Sequence, residues 1–134
     1  MREILFRGKT LTGKWVEGAY YKQEEYYGAK EEAHIIITSK ETLDYDQALC
    51  YSVIIPETLG QYIGLCDKYG KSIAKGDIVE YKEEYGIITY SESEAMFMVK
   101  FDTWCTDFDH IYGSDLEVVG NIIDNPELLS GGAE

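Results

Sequence analysis

The chain is 134 residues long and carries 12 basic against 25 acidic side chains, a formal net charge of −13. That balance works against direct nucleic-acid binding, because a phosphate backbone has to be neutralised by Lys and Arg. The length admits one domain that buries about two-thirds of its unfolded surface, so a self-sufficient core is within reach.

The acidic excess is local. Residues 1–82 hold 11 basic and 13 acidic side chains, whereas residues 83–134 set Lys100 alone against 12 acids, a net −11. Such a field serves solubility and also steers a basic partner. Three cysteines, Cys50, Cys66 and Cys105, are an odd number without C-x-x-C spacing. Free thiols in a reducing cytoplasm fit that pattern better than a secreted disulfide framework. Only Ile4, Leu5 and Phe6 are apolar in a row before Arg7, too few for a signal-peptide core, and no segment approaches a membrane span. A cytoplasmic protein without a membrane segment is expected. The 12 tyrosines favour β structure, where a ring packs on the pleat while its hydroxyl stays wet.

In chain order, REILFRGKTLTGKWVEGAYYK predicts two short strands joined by a turn at Thr12-Gly13. EEYYGAKEE (24–32) reads as a loop. HIIITS (34–39) reads as a strand, since consecutive β-branched residues favour extended backbone. ETLDYDQAL (41–49) fits either a loop or a helical turn. CYSVIIPETLGQY predicts a strand that ends at Pro56, whose missing N–H stops a ladder. Three further strands follow at 77–82, 86–91 and 95–101, and a fourth in LEVVGNII (116–123). In NPELL, Asn125 is suited to cap and Pro126 to open a short helix.

GLCDKYGKSIAKGDIVEY (64–81) looks at first like a polar site. Asp67-Lys68-Tyr69-Gly70 is better read as a type I turn with glycine at positive φ, pairing Gln61–Cys66 with Lys71–Ala74. Lys75-Gly76-Asp77 reverses the chain again. Every polar residue then has a turn or strand-edge role. The fold expected is mainly β: a small bent sheet or SH3-like barrel in the C-terminal part, with an N-terminal β-hairpin extension and a short C-terminal helix. Within one domain, residues 1–55 form the hairpin and strand part, 56–129 the barrel-like part and 130–134 a tail.

PETLGQYIGLCDKYGKSIAKGDIVEY (56–81) resembles the signature of the YopX family, small proteins found widely in bacteriophages and prophages. REILFRGK…TGKWVEG and LEVVGNIIDNPELL resemble that family's two other recurrent blocks, while 23–50 and 92–115 carry no family signature. The resemblance implies a cytoplasmic, phage- or prophage-encoded protein with a mainly β fold. It implies no established enzymatic role and supplies no catalytic or ligand-binding residues.

WCTDFDHIYGSD (104–115) is the strongest candidate for chemistry, because Asp107, Asp109, His110 and Asp115 combine oxygen and imidazole donors. As a calcium loop it has Ile111 and Tyr112 where a donor and a glycine belong. As a zinc site it lacks a second His or a paired Cys. On a strand, Asp107 and Asp109 share one face and His110 takes the other, so a solvated acidic loop is the default. His34 is expected to end a strand, half exposed. Cys105, beside Trp104 and near His110, suggests a thiol nucleophile with its base, but a thiolate needs an electropositive setting and its neighbours are carboxylates. Cys50 and Cys66 read as core.

No nucleophile elbow, phosphate loop or dinucleotide fingerprint is present. The acid pairs Glu24-Glu25, Glu31-Glu32 and Glu83-Glu84 read as solvated. The aromatic groups Trp15, Tyr20-Tyr21 and Tyr26-Tyr27 would suit base stacking only beside a basic groove, and read better as core or subunit interface. No catalytic, cofactor-binding or metal-ligating residue is assigned. The first reading is a non-enzymatic accessory protein acting by protein binding or as a homo-oligomer. The second is an acidic decoy or inhibitor engaging a basic host protein through residues 83–134. The third is a metal-dependent enzyme using Asp107, Asp109 and His110.

Overall fold

The structure, a computed structural model, describes residues 4–23, 33–39 and 50–130. The fold is mainly β, and it divides into two compact units, Met1–Gln61 and Tyr62–Glu134. No helix among the described residues is long and apolar enough to cross a membrane. The segments 24–32 and 41–49 lie outside the described residues.

The first unit contains β1 (Phe6–Thr10), β2 (Trp15–Gln23), β3 (Ala33–Ser39) and the first part of β4 (Cys50–Cys66). All pairs are antiparallel, and the pairing is cyclic, because β4 pairs with β3 through Tyr51–Val53 and with β1 through Ile54–Gln61. The turn at Thr12-Gly13 forms as the sequence predicts, closed by Gly13 N–H on the Thr10 carbonyl at 2.9 Å. Ile36 and Ile54 are buried, with Phe6 packed 5.5 Å from the Tyr20 ring. Gly18 is required by close approach, since a Cβ there would stand 1.9 Å from the Ile37 carbonyl oxygen.

Pro56 does not end its strand, contrary to the sequence reading. β1 pairs Lys9 with Ile55 and Arg7 with Gly60, so residues 56–59 stand opposite Gly8 alone. In that bulge no ladder N–H is demanded of Pro56. The Thr58 hydroxyl takes over the backbone pairing, accepting from Lys9 N–H at 2.8 Å and donating to the Ile55 carbonyl at 2.5 Å.

The second unit holds the end of β4, β5 (Ser72–Ala74), β6 (Asp77–Tyr81), β7 (Glu84–Ser91), β8 (Met96–Lys100), β9 (Cys105–Asp107), a 3₁₀ turn at Gly113–Asp115, β10 (Glu117–Asn121) and α1 (Glu127–Ser130). Five strands form an antiparallel sheet in the order β10-β6-β7-β8-β9. The β4–β5 hairpin adds Ile63 and Ile73 to a core with Val79, Ile88, Val99, Phe101, Ile111 and Leu116. β9 was not expected. Its short polar sequence is extended because it pairs with β8, Val99 opposite Thr106. Asn125, ahead of helix α1, turns its side chain back to accept from Asn121 N–H at 3.2 Å.

The hairpin turn is held by Asp67, which is 5% exposed. Gly70 has φ +83°, and its N–H donates to the Asp67 carbonyl at 3.0 Å. Asp67 Oδ1 accepts from Tyr69 and Lys71 N–H at 2.9 and 2.8 Å, while Oδ2 accepts from Val118 N–H of β10 at 3.0 Å. Burial works to raise its pKa, but the N–H donors of Val118, Lys71 and Tyr69 and the Lys71 charge outweigh it and hold the carboxyl below its ordinary value. Asp77 serves the next reversal, accepting from Ala74 N–H at 2.8 Å.

Removing the Asp67 carboxylate strands three backbone donors, so Asp67→Ala is expected to destabilise the fold by about 3 kcal/mol in urea unfolding, and Asp67→Asn by less. Because the folded pKa is depressed, the carboxylate's contribution is present above the ordinary value of 3.8 and fades as pH falls through the folded one. The β6–β7 turn places Lys82 and Glu83 at φ +47° and +69°, a conformation that favours glycine. Glu83→Gly should therefore stabilise the chain by about 0.5–1 kcal/mol in the same assay.

Candidate functional site

β9 ends at Asp107, and the chain then folds into a tight turn instead of continuing as a strand. His110 and Ile111 N–H reach the Asp107 carbonyl at 3.3 and 3.2 Å. Asp107 Oδ1 accepts from Asp109 N–H and His110 N–H, both at 3.1 Å, and from His110 Nδ1 at 2.6 Å. The structure thus corrects the expectation that His110 faces away from Asp107. Aspartate favours such side-chain-to-backbone turns. Asp115 has a similar duty, its Oδ2 accepting from Tyr112 N–H at 3.4 Å across the 3₁₀ turn. Among the described residues no group of three or more His, Cys, Asp and Glu is placed to hold a metal ion.

Next to this turn the second unit has an open cleft of about 220 Å³. Ile63 and Leu65 of β4, Met96 and Phe97 of β8, and Phe108 line it, with Asp107 and Asp109 in its wall. A cofactor or drug-sized ligand needs roughly 300–1,000 Å³, so this space suits one or two side chains. The sequence reading found the acids but not their apolar neighbours: Ile63 and Leu65 come from β4 and Met96 and Phe97 from β8, and tertiary folding brings them beside Asp107.

The other candidates separate. His34 lies in β3, in the first unit, half-buried, with Nδ1 2.6 Å from the Tyr20 hydroxyl and the two rings stacked at 6.0 Å. Cys66 is exposed, not core, because it ends β4 at the hairpin turn. The side chain of Cys50 lies outside the described residues. Cys105 is exposed on β9. Trp104 stacks on Phe101 at 4.4 Å and points its Nε1–H to Glu84 at 3.5 Å. Trp15 is flanked by cations, with the Arg7 guanidinium 5.2 Å and Lys9 Nζ 5.9 Å from its ring centre. Tyr26 and Tyr27 lie outside the described residues.

The first unit presents a second surface. Register places Tyr21, Ile35 and Val53 in one cross-strand row and Ala19, Ile37 and Tyr51 in the next. The alternate residues Tyr20, Ile36 and Ser52 point the other way, and Ile36 is fully buried. On the outer face Tyr21, Tyr51 and Val53 are 55%, 61% and 47% exposed, and neither row contains a charged residue. A signal for this face was available in the sequence: three consecutive isoleucines on a strand cannot all face one core.

His110 is drawn toward its charged form by the Asp107 hydrogen bond and charge, with Asp109 adding to the pull, so its pKa is raised above the ordinary 6.5. The bond to His110 in turn is the main cause that lowers Asp107 below 3.8. The imidazolium's share of the pairing is present below 6.5 and is lost as pH rises through the raised value; the carboxylate's share is lost as pH falls through the lowered one. An NMR titration is expected to place the His110 midpoint above 6.5 in the wild type and closer to it in Asp107→Asn. Added salt should also reduce the shift, because the pair is exposed.

The description "YopX protein" matches residues 5–130, which includes the central and C-terminal blocks on which the resemblance rests and the N-terminal block from Leu5 on. Among solved structures, the chain is similar to protein EF1440 from Enterococcus faecalis, a crystal structure, at a TM-score of 0.61 and 22% identity, over 96% of this chain and 99% of that one. At that identity the likeness is one of fold. A comparison with curated proteins finds no match. With 5–130 spanned by a single family pattern, the chain belongs to the YopX protein family.

Proposed function

We propose that this chain is a non-enzymatic phage- or prophage-encoded accessory protein of the cytoplasm that acts through protein contacts, self-association first among them. The supporting observation is the outer face of β2, β3 and β4. Exposed apolar rows of this kind mark interaction surfaces, and tyrosine is enriched where rings meet a partner while their hydroxyls reach water. The carboxylates singled out for chemistry also have backbone duties, Asp107 and Asp115 both closing turns, which supports the non-enzymatic reading.

Charge favours a second copy as the occupant. Two molecules of net charge −13 repel most where residues 83–134 approach one another. The rows of Tyr21 and Tyr51 carry no charge, so they let two copies meet with little electrostatic penalty. A two-fold arrangement would set each face against its own counterpart. The cleft beside Asp107 supports the second reading, a basic partner.

Analytical ultracentrifugation tests the self-association at about 100 μM chain, enough to populate even a weak dimer. The wild type is expected to sediment as a dimer. Tyr51→Lys with Val53→Lys should weaken it at least about 100-fold, since paired charges would be buried without partners. A wild-type monomer at that concentration, or a dimer indifferent to the two lysines, would overturn the reading.

A further inference from the structure

The cleft in the second unit combines two features that rarely serve the fold together. Its floor is apolar, from Ile63, Leu65, Phe97 and Phe108, and Leu65 remains 41% exposed although it sits beside buried Ile63. Met96, 36% exposed at its edge, brings a flexible thioether that adapts to varied shapes. Its wall carries the Asp107 and Asp109 carboxylates, with the His110 imidazole on the Oδ1 side of Asp107. Among the described residues the bonds to the Asp107 side chain fall on Oδ1, which leaves Oδ2 available, and the Asp109 carboxylate stands exposed two residues on.

We propose that this cleft is a docking site for a basic peptide segment of a partner protein, which seats an apolar side chain on the floor and an adjacent arginine on Asp107 and Asp109. The volume suits an apolar side chain. Charge complementarity selects the arginine: its aliphatic stem lies on aromatic surface while its planar fork reaches carboxylate oxygens. The unit that holds the cleft sets 5 lysines against 15 acids, so the surrounding field draws a cationic segment in and repels a phosphate backbone. This site shares no residue with the face proposed for self-association.

The test is fluorescence anisotropy on the full chain with a labelled synthetic peptide of alternating leucine and arginine. A peptide with the arginines replaced by glutamate, one with the leucines replaced by serine, and a single-stranded oligonucleotide are the comparisons. Binding is expected for the first probe alone, weakening as salt is added. Asp107→Asn with Asp109→Asn should lower affinity at least about tenfold, and Leu65→Ser by a comparable factor. Glu83→Gln with Asp102→Asn removes the same charge away from the cleft and should change affinity less than about twofold.

Amide shifts on peptide addition should concentrate at Ile63, Leu65, Phe97 and Phe108, a readout independent of whether a variant folds. Equal losses from the two charge pairs, equal binding of the serine-substituted peptide, binding of the oligonucleotide, or shifts spread along the acidic surface would each overturn the proposal. Tyr51→Lys with Val53→Lys should bind the peptide as the wild type does, so the two surfaces succeed or fail separately.

Discussion

The second unit depends on one buried carboxylate. Asp67 uses one oxygen on the turn that contains it and the other on Val118, 51 residues further along the chain. The first bond set makes the hairpin, and the second fastens it to the sheet. Lys68 N–H repeats the connection next door, donating to the Leu116 carbonyl at 2.9 Å. A neutral capping residue could close the local turn, but charge-assisted bonds from both oxygens are what make burying the group worthwhile. The position of Ile63 and Ile73 over the sheet follows from that anchor. So does the cleft, since Ile63 and Leu65 form part of its floor.

The first unit solves a different problem, how a single strand can serve two neighbours. β4 leaves β3 after Val53 and takes up β1 from Ile54. Residues 56–59 bulge at the change, and there a threonine hydroxyl substitutes for ladder bonds that a proline cannot make. Among the described residues, cyclic pairing covers much of the open edge through which small sheets aggregate. The self-association proposed above accordingly uses a face, by side-chain packing in place of strand addition.

What was legible in the sequence was local. The turns at Thr12-Gly13, Asp67–Gly70 and Lys75–Asp77 could be read because each rests on residues within a few positions of one another. The alternating apolar runs gave the strands for the same reason. β9 was hidden because Cys-Thr-Asp has no strand pattern of its own and is extended only by its pairing with β8. Pro56 misled because the rule it invokes holds for a regular ladder, and the bulge across from Gly8 is visible only once β1 and β4 are aligned. Cys66 was misplaced because its apolar neighbours describe the strand and not the side of it that faces water. For the candidate site the acids were legible one by one, while their relation to His110 and to the apolar floor was not.

The acidic imbalance therefore has to be read together with shape. At physiological salt a charge is screened within about 8 Å, so a surplus of carboxylates spread over residues 83–134 raises the encounter rate with any cation and distinguishes few of them. Discrimination needs groups held in fixed relation. In the proposed docking, Asp107 is such a group, because the turn that uses its Oδ1 also fixes the direction of Oδ2, and the floor beside it includes buried Ile63 and half-buried Phe97 and Phe108. An exposed aspartate without the floor would attract but not select; the floor without the aspartate would accept any apolar residue. Their adjacency is what turns a bulk charge into a criterion for a partner.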